Sequence, residues 1–206
     1  AGTLTMNKIS TDVPCVHGSR PREPHTNKIF RLMYFFTATI NSWKSLLIED
    51  EFKSIISESF KWFHENKRAA INGFVIMPNH IHLLWQPLSP ESSQLLTVDD
   101  LHNIESKNER DFLSFTGHQF KKKLKDSNHE LLDEYRSTQN NKEYHFWERR
   151  SRSIVVDSRK IAEQKLDYIH NNPVAEEIVG DPAHYLYSSA RDYTGRKGYL
   201  EIEFIE

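Results

Sequence analysis

Two histidines separated by one residue, His80 and His82, form the sharpest chemical signal in the sequence. They open an apolar run, HIHLLW, of the kind that forms buried strands. Because side chains alternate across a strand, both imidazoles project from one face, about 7 Å apart, and can converge on one cation. The alternative is a pair of half-buried histidines with hydrogen-bonded rings. The motif alone leaves both interpretations open.

A tyrosine and an asparagine near the end of the chain form the second signal. Tyr168 and Asn172 are four residues apart in a segment with helical periodicity, so they share a helix face with Gln164 and Lys165. The Asn172 carbonyl oxygen suits a hard divalent cation, and the Tyr168 phenol is a nucleophile when a metal or base assists it. With the two histidines, they suit phosphoryl transfer through a phosphotyrosine. The alternative is a core tyrosine before an Asn-Pro helix stop.

Positive charge is concentrated in one part of a chain whose net charge is −2. Residues 117–165 contain 12 Lys and Arg against 8 Asp and Glu, and Tyr144, Phe146 and Trp147 lie within that segment. Cations beside aromatic rings suit single-stranded nucleic acid, because phosphates pair with the cations and bases stack on the rings. The alternative is a solvated helix face with Phe146 and Trp147 in the core. The candidate DNA contacts are Lys121, Lys122, Lys123, Arg149, Arg150, Arg152 and Lys165.

Hydrophobic periodicity predicts the elements that position these residues. The aromatic and β-branched run at residues 34–40 predicts a strand, and apolar residues at helical spacing predict a helix over residues 47–67. Residues 74–77 and 80–85 predict either the two arms of one bent strand or a tight hairpin. Strands interleaved with helices indicate an α/β or α+β fold with helices covering a sheet.

The second half of the chain has weaker patterns. A helix is predicted over residues 158–172, capped by Ser158 and ended by Pro173. Residues 112–125 have loosely helical spacing. The polar segment 94–108 is expected to be a loop, and the polar segment 128–144 a loop or an irregular helix.

Length and composition limit the class of protein. A chain of 206 residues suits one domain that folds without disulfide or metal. The single cysteine, Cys15, excludes an intrachain disulfide or cysteine-based zinc site and favours the reducing cytoplasm. No apolar run approaches the roughly 20 residues of a membrane span, and no secretory signal is visible. We expect an irregular arm over residues 1–30, with residues 1–5 a cloning remnant, a domain over residues 31–195 and a tail over residues 196–206.

Taken together, these segments resemble the single-tyrosine HUH transposases, in particular insertion-sequence transposases and REP-associated tyrosine transposases. Residues 73–85 closely resemble the family's IMPNHIHLL block, and residues 185–193 resemble its trailing YxxSSARDY signature. Residues 147–150 and 165–174 are similar to the block around the family's nucleophile, and residues 115–123 to its basic helix. The resemblance extends over about residues 30–194.

The resemblance implies an α+β fold, in which helices sandwich an antiparallel sheet of the ferredoxin-like or RRM-like kind. It implies that His80, His82 and Asn172 hold Mg²⁺ or Mn²⁺. It also implies that Tyr168 attacks a scissile phosphate in single-stranded or hairpin DNA, leaving a 5′-phosphotyrosine and a free 3′-hydroxyl. Relatives often have a basic, small-residue stretch at residues 175–180, which are acidic here, so we expect no DNA contact there.

Other functions compatible with these residues are a domesticated hairpin-DNA endonuclease and a non-catalytic DNA-binding regulator. A hydrolytic two-histidine nuclease that uses water is a further alternative, in which Tyr168→Phe would keep its activity. Monomers and dimers both occur in the family, so a homodimer stays open. Ser188, Ser189 and Arg191 are expected to serve the structure rather than DNA.

Overall fold

Four antiparallel strands form one sheet in the computed structural model, which describes residues 32–89, 96–137 and 143–205. The strands are β1 (Met33–Thr39), β2 (Ala69–Ile76), β3 (His80–Pro87) and β4 (Arg152–Val156). The helices are α1 (Asp50–Glu65), α2 (Val98–Ser127), α3 (His129–Asp133), α4 (Arg159–Ala175) and α5 (Ala190–Tyr193). The arm predicted over residues 1–30, with Cys15, lies outside the described residues.

The strand order β2-β3-β1-β4, with α1 between β1 and β2 and α2 between β3 and β4, is that of a ferredoxin-like split βαβ unit. Residues 77–79 join β2 to β3 as a tight hairpin, which decides between the two alternatives for this segment. The α+β prediction is confirmed.

Helices cover both faces of the sheet. On one face, the Phe36 and Trp85 rings stack with centroids 5.9 Å apart. Helix α1 contacts this pair through Phe63 and helix α2 through Phe112. On the other face, Tyr168 of α4 lies against Phe35 of β1, with ring centroids 6.0 Å apart. The predicted sandwich is therefore present, and the two histidines of β3 belong to the face covered by α4.

Helix α2 begins far earlier than the sequence predicts. Its first residue is Val98, so the prediction of a loop at residues 94–108 was wrong from that point on. Thr97 caps the helix in a capping box with Asp100. The buried stripe continues towards the N-terminus through Glu105 and Asn108, which hydrogen bond to Ser153 and Arg68. Because these buried residues are polar, hydrophobic periodicity does not reveal them.

Two further elements differ from the sequence predictions. Helix α4 starts after the Ser158 cap, as predicted, but it passes through Pro173 and ends at Ala175. Pro173 lacks an N–H, yet its own carbonyl accepts a hydrogen bond from the Ile178 N–H at 2.9 Å, which stabilises this last turn. Strand β4 was not predicted at all, because its exposed, five-residue run carries little apolar alternation.

Helix α4 approaches β2 closely at Gly73. A Cβ atom at this position would lie 2.5 Å from the Leu166 side chain of α4. The register of β2 against β3 also shifts between Ile71 and Gly73. Because Gly73 has no side chain, α4 can pack close to the sheet here. This distance between α4 and the sheet also sets the position of Tyr168.

The segment after α4 runs along the free edge of β2. The Ile76 N–H donates to the Tyr187 carbonyl at 2.9 Å, and the Ser189 N–H donates to the Phe74 carbonyl at 3.0 Å. Ser189 is completely buried, and its hydroxyl oxygen accepts the Phe74 N–H. It is structural, as expected. The predicted tail also packs on the sheet, since the Glu203 N–H donates to the Ile71 carbonyl at 2.8 Å.

Among the described residues, no helix has both the length and the apolar character needed to cross a membrane.

Candidate active site

The two histidine rings lie side by side on β3, with centroids 4.8 Å apart. Each ring is fixed through its Nδ1 atom. Thr37 of β1 places its hydroxyl oxygen 2.8 Å from Nδ1 of His82, and Asn79 places its amide oxygen 2.7 Å from Nδ1 of His80. An amide oxygen only accepts, so Nδ1 of His80 carries the proton and its Nε2 presents a lone pair. Hydrogen bonds of this kind orient the histidine ligands of metal sites.

Two polar atoms at this place are buried without a hydrogen-bond partner among the described residues: Nε2 of His82 itself and Oδ1 of Asn172 on α4. A buried polar atom left unpaired is costly, and these two atoms at one place are available to a ligand. Asn172 interacts with His80 from α4 and opposes the decrease in the pKa of that histidine. The sheet and the helix thus bring the three predicted ligands together.

Both histidines are neutral at pH 7. Burial, together with the neighbouring His80 and Lys165, lowers the pKa of His82 to about 3. Burial also lowers the pKa of His80, while Asn172 and the Glu176 carboxylate oppose this change. Neutral imidazole is the form that binds metals, so the site does not have to lose protons to accept a cation.

The residues present fit a divalent cation with mixed nitrogen and oxygen ligands. Two imidazoles and one amide oxygen are the available donors at the centre. Within the described part of the chain, no group of three or more His, Cys, Asp or Glu side chains could hold a metal. A cation here would therefore depend on the Asn172 amide, and would leave positions open for substrate oxygens.

Tyr168 lies beside the histidines and stays accessible. Its ring centroid is 5.0 Å from that of His82, and 51% of the residue is exposed. One turn later on the same helix, Asn172 is buried. The helix therefore directs one side chain into the site and leaves the other open to solvent, an arrangement that suits a nucleophile for a large substrate.

Two of the predicted DNA contacts belong to this face. The Nζ atom of Lys165 lies 4.6 Å from the centre of the Phe35 ring, next to His82. Arg152 pairs with Thr37, which pairs with His82, so these residues form one row across the sheet. The adjacent Ser153 points towards α2, so Arg152 points to the α4 side.

Other predicted contacts lie on the α2 side. Lys121 forms an ion pair with Glu143, and Lys123 with Glu51 of α1, while Lys122 is exposed. Arg149 and Arg150 are also exposed. An open groove of about 850 Å³ between α2 and residues 143–151 is lined by Lys121 and Arg149, among others. Glu148, which also lines this groove, donates its N–H to the carbonyl of Thr39, the partner of His80 in the sheet register.

The aromatic residues next to the arginines are mainly core residues. Phe146 and Trp147 are buried, and the Trp147 indole N–H donates to the Thr116 hydroxyl at 2.9 Å. Tyr144 lies between the cations of Lys121 and Arg136. The core interpretation is therefore correct for Phe146 and Trp147, and neither ring is available to a base.

Sequence reasoning missed three residues of the site. Thr37 is brought to His82 by strand register, which no local pattern reveals. Asn79 directly precedes the histidines, and its position in the hairpin was the available signal. Glu176 is the C-cap residue of α4, one turn beyond Asn172, so its spacing from Tyr168 could have identified it.

A solved structure of a REP-associated tyrosine transposase bound to a REP hairpin superposes with a TM-score of 0.52. The match covers 84% of this chain and 86% of the other, at 17% sequence identity. The chain shares the fold of this transposase. The sequence resemblance is thus confirmed at the level of the fold, since identity this low compares architecture and not individual residues.

A candidate transposase from Deinococcus radiodurans R1 is more distant, with a TM-score of 0.38 and 15% identity over 72% of this chain and 96% of the other. No protein-family profile and no curated protein sequence matches the chain. The transposase fold is therefore recognised through the structure and not through overall sequence similarity.

Proposed function

We propose that this chain is a transposase that cleaves and rejoins single-stranded or hairpin DNA through a 5′-phosphotyrosine at Tyr168. The observation that carries the proposal is the contact between an exposed tyrosine and a buried histidine whose Nε2 has no partner among the described residues. The fold shared with a transposase bound to a REP hairpin supports DNA, and hairpin DNA in particular, as the substrate.

The proposed reaction exchanges one phosphate ester for another. The phenol oxygen of Tyr168 bonds to the scissile phosphorus as the bond from phosphorus to the 3′-oxygen breaks. The phenolic proton is lost, and the departing 3′-oxygen gains a proton. Because the 5′-phosphate remains on Tyr168, the bond energy is conserved, and a 3′-hydroxyl can reverse the step on the same or another strand.

His80, His82 and Asn172 are the proposed ligands of Mg²⁺ or Mn²⁺. When bound, the cation would neutralise charge on the phosphate and polarise its oxygens. Thr37 and Asn79 hold the two imidazoles in the orientation this requires. Lys165 and Arg152 supply positive charge for the flanking phosphates.

The test is a denaturing gel assay for a covalent protein–DNA product. Wild type and Tyr168→Phe are incubated with hairpin oligonucleotides carrying single-stranded flanks and Mn²⁺, with and without chelator. A metal-dependent adduct in the wild type alone supports the proposal. Cleavage without an adduct, unchanged in Tyr168→Phe, would replace it with hydrolysis by water. Tight binding without cleavage would favour the regulator.

A further inference from the structure

The turn after β1 holds an unusual residue. Ser42 and Trp43 both adopt left-handed backbone conformations, with φ of 58° and 56°. A bulky residue seldom adopts this conformation, because it strains the backbone. Trp43 is 64% exposed, the largest exposed fraction among the large hydrophobic side chains of the described residues.

The surrounding structure holds the turn in this conformation. The Asn41 N–H donates to the Phe146 carbonyl at 2.7 Å, and the Ser42 N–H donates to the Glu148 carboxylate at 2.6 Å. Lys44 follows and forms an ion pair with Glu134 at 2.7 Å. These contacts hold the turn in a conformation that exposes the indole to solvent. The backbone strain and the exposed apolar surface are both unfavourable, and packing of the indole does not explain them.

Its position relates it to the active site. The Trp43 ring centroid is 6.2 Å from that of His80, which is 4.8 Å from that of His82, which is 5.0 Å from that of Tyr168. The four rings form a continuous series with the exposed indole at one end and the exposed phenol at the other. A phosphate held at the histidines would have its own nucleotide within reach of the indole.

We propose that Trp43 is the stacking platform for a nucleobase next to the scissile phosphate of single-stranded DNA. This proposal rests on the proposed function, and it adds a substrate-binding residue to it. An indole face accepts any base, so Trp43 would fix the position of the strand and not read its sequence. Phe146 and Trp147, two of the rings that the sequence offered as candidates for stacking on bases, are buried, whereas the Trp43 ring is exposed beside the histidines.

The test measures binding without chemistry. Fluorescein-labelled oligothymidylate and an abasic oligomer of equal length are titrated, in chelator, into Tyr168→Phe protein. That background is combined with Trp43→Gly, Trp43→Phe or Trp62→Ala. Glycine adopts the left-handed conformation without steric cost, so Trp43→Gly removes the ring and should preserve the turn and the fold. Trp62 is the matched control, an exposed tryptophan (48%) on α1, across the sheet from the site.

The expected result is about a 10-fold loss of oligothymidylate affinity in Trp43→Gly, from the typical value of a stacked base. Trp43→Phe should retain most of the affinity, Trp62→Ala all of it, and the abasic oligomer should bind equally to all variants. The proposal would be overturned if Trp43→Gly left the affinity for oligothymidylate unchanged, or if Trp62→Ala reduced it equally. It would also be overturned if the protein carrying Tyr168→Phe alone did not bind the oligomer. Failure of the covalent-adduct assay with normal stacking would instead reject the catalytic proposal alone.

Discussion

Thr37 of β1 and His82 of β3 face each other in the sheet register, with the threonine hydroxyl oxygen 2.8 Å from Nδ1 of the imidazole. Since this contact engages Nδ1, the other ring nitrogen of His82, Nε2, is left buried without a hydrogen-bond partner among the described residues, and the ring lies beside that of Tyr168. The hydroxyl of Thr37 on β1 thereby controls the ring orientation of His82, a proposed metal ligand on β3. Its consequences for metal binding can be measured directly.

Thr37→Val should weaken Mn²⁺ binding by about 10- to 100-fold, the usual effect of losing a hydrogen bond that orients a metal ligand. Valine keeps the β-branched shape of threonine, so the fold should persist. Isothermal titration calorimetry of the DNA-free protein provides the measurement. Thr39→Val, two residues along the same face of β1, is the control and should bind Mn²⁺ normally. Equal affinity in Thr37→Val and wild type would show that the hydroxyl does not position His82.

Gly73→Ala should destabilise the protein by about 1–3 kcal/mol, because the new Cβ would overlap the Leu166 side chain. Urea unfolding measures this free energy. The control is Gly117→Ala on α2, where the nearest atom would be 3.9 Å away. There alanine should stabilise the helix by about 1 kcal/mol. Opposite changes in the free energy of unfolding for these two Gly→Ala substitutions would show that α4 packs directly on Gly73. Equal changes would contradict this.

The stability of the metal-free protein should fall on acidification. Burial lowers the pKa of His170 to about 4 and that of His82 to about 3, whereas unfolded histidine titrates near 6.5. Between these values the unfolded chain binds more protons than the native chain. The stabilisation is therefore complete above about pH 6.5 and is lost progressively as the pH falls towards the native pKa values.

Urea unfolding in chelator at several pH values tests this dependence. His170→Gln can still hydrogen bond to Ser189, the partner of His170 at 2.9 Å, but cannot titrate. Its free energy of unfolding should fall less steeply with decreasing pH than that of the wild type. Parallel curves for the two proteins would show that the burial of His170 does not contribute to acid sensitivity.

Arg152→Ala and Lys123→Ala should differ in their effects on DNA, although both cations belong to basic clusters in the sequence. Arg152 lies in the row of His82, whereas Lys123 pairs with Glu51 at 2.9 Å on the far side. Arg152→Ala should weaken oligothymidylate binding and lower the slope of log affinity against log salt by about 0.7. Lys123→Ala should change neither. The reverse result would place the strand on the α2 surface.

The sequence was sufficient to predict much of the sheet and to select four residues that the structure places close together. The His80 and His82 pair and the spacing of Tyr168 and Asn172 are local patterns, and local geometry preserves them. Thr37 and Arg152 join the site only through strand register, and β4 was not predicted. The first half of α2 was missed because its buried residues Glu105 and Asn108 are polar. The features that could not be predicted from the sequence depend on contacts between segments that are distant along the chain.

The central claim is that Tyr168 becomes covalently attached to DNA. The most direct measurement is mass spectrometry of the tryptic peptide containing Tyr168, after reaction of the wild type with hairpin oligonucleotide and Mn²⁺ and nuclease trimming of the DNA. The account predicts a 5′-phosphonucleotide on Tyr168, absent with chelator and absent from Tyr168→Phe. A cleaved oligonucleotide with an unmodified Tyr168 peptide, or a nucleotide on another residue, would contradict it.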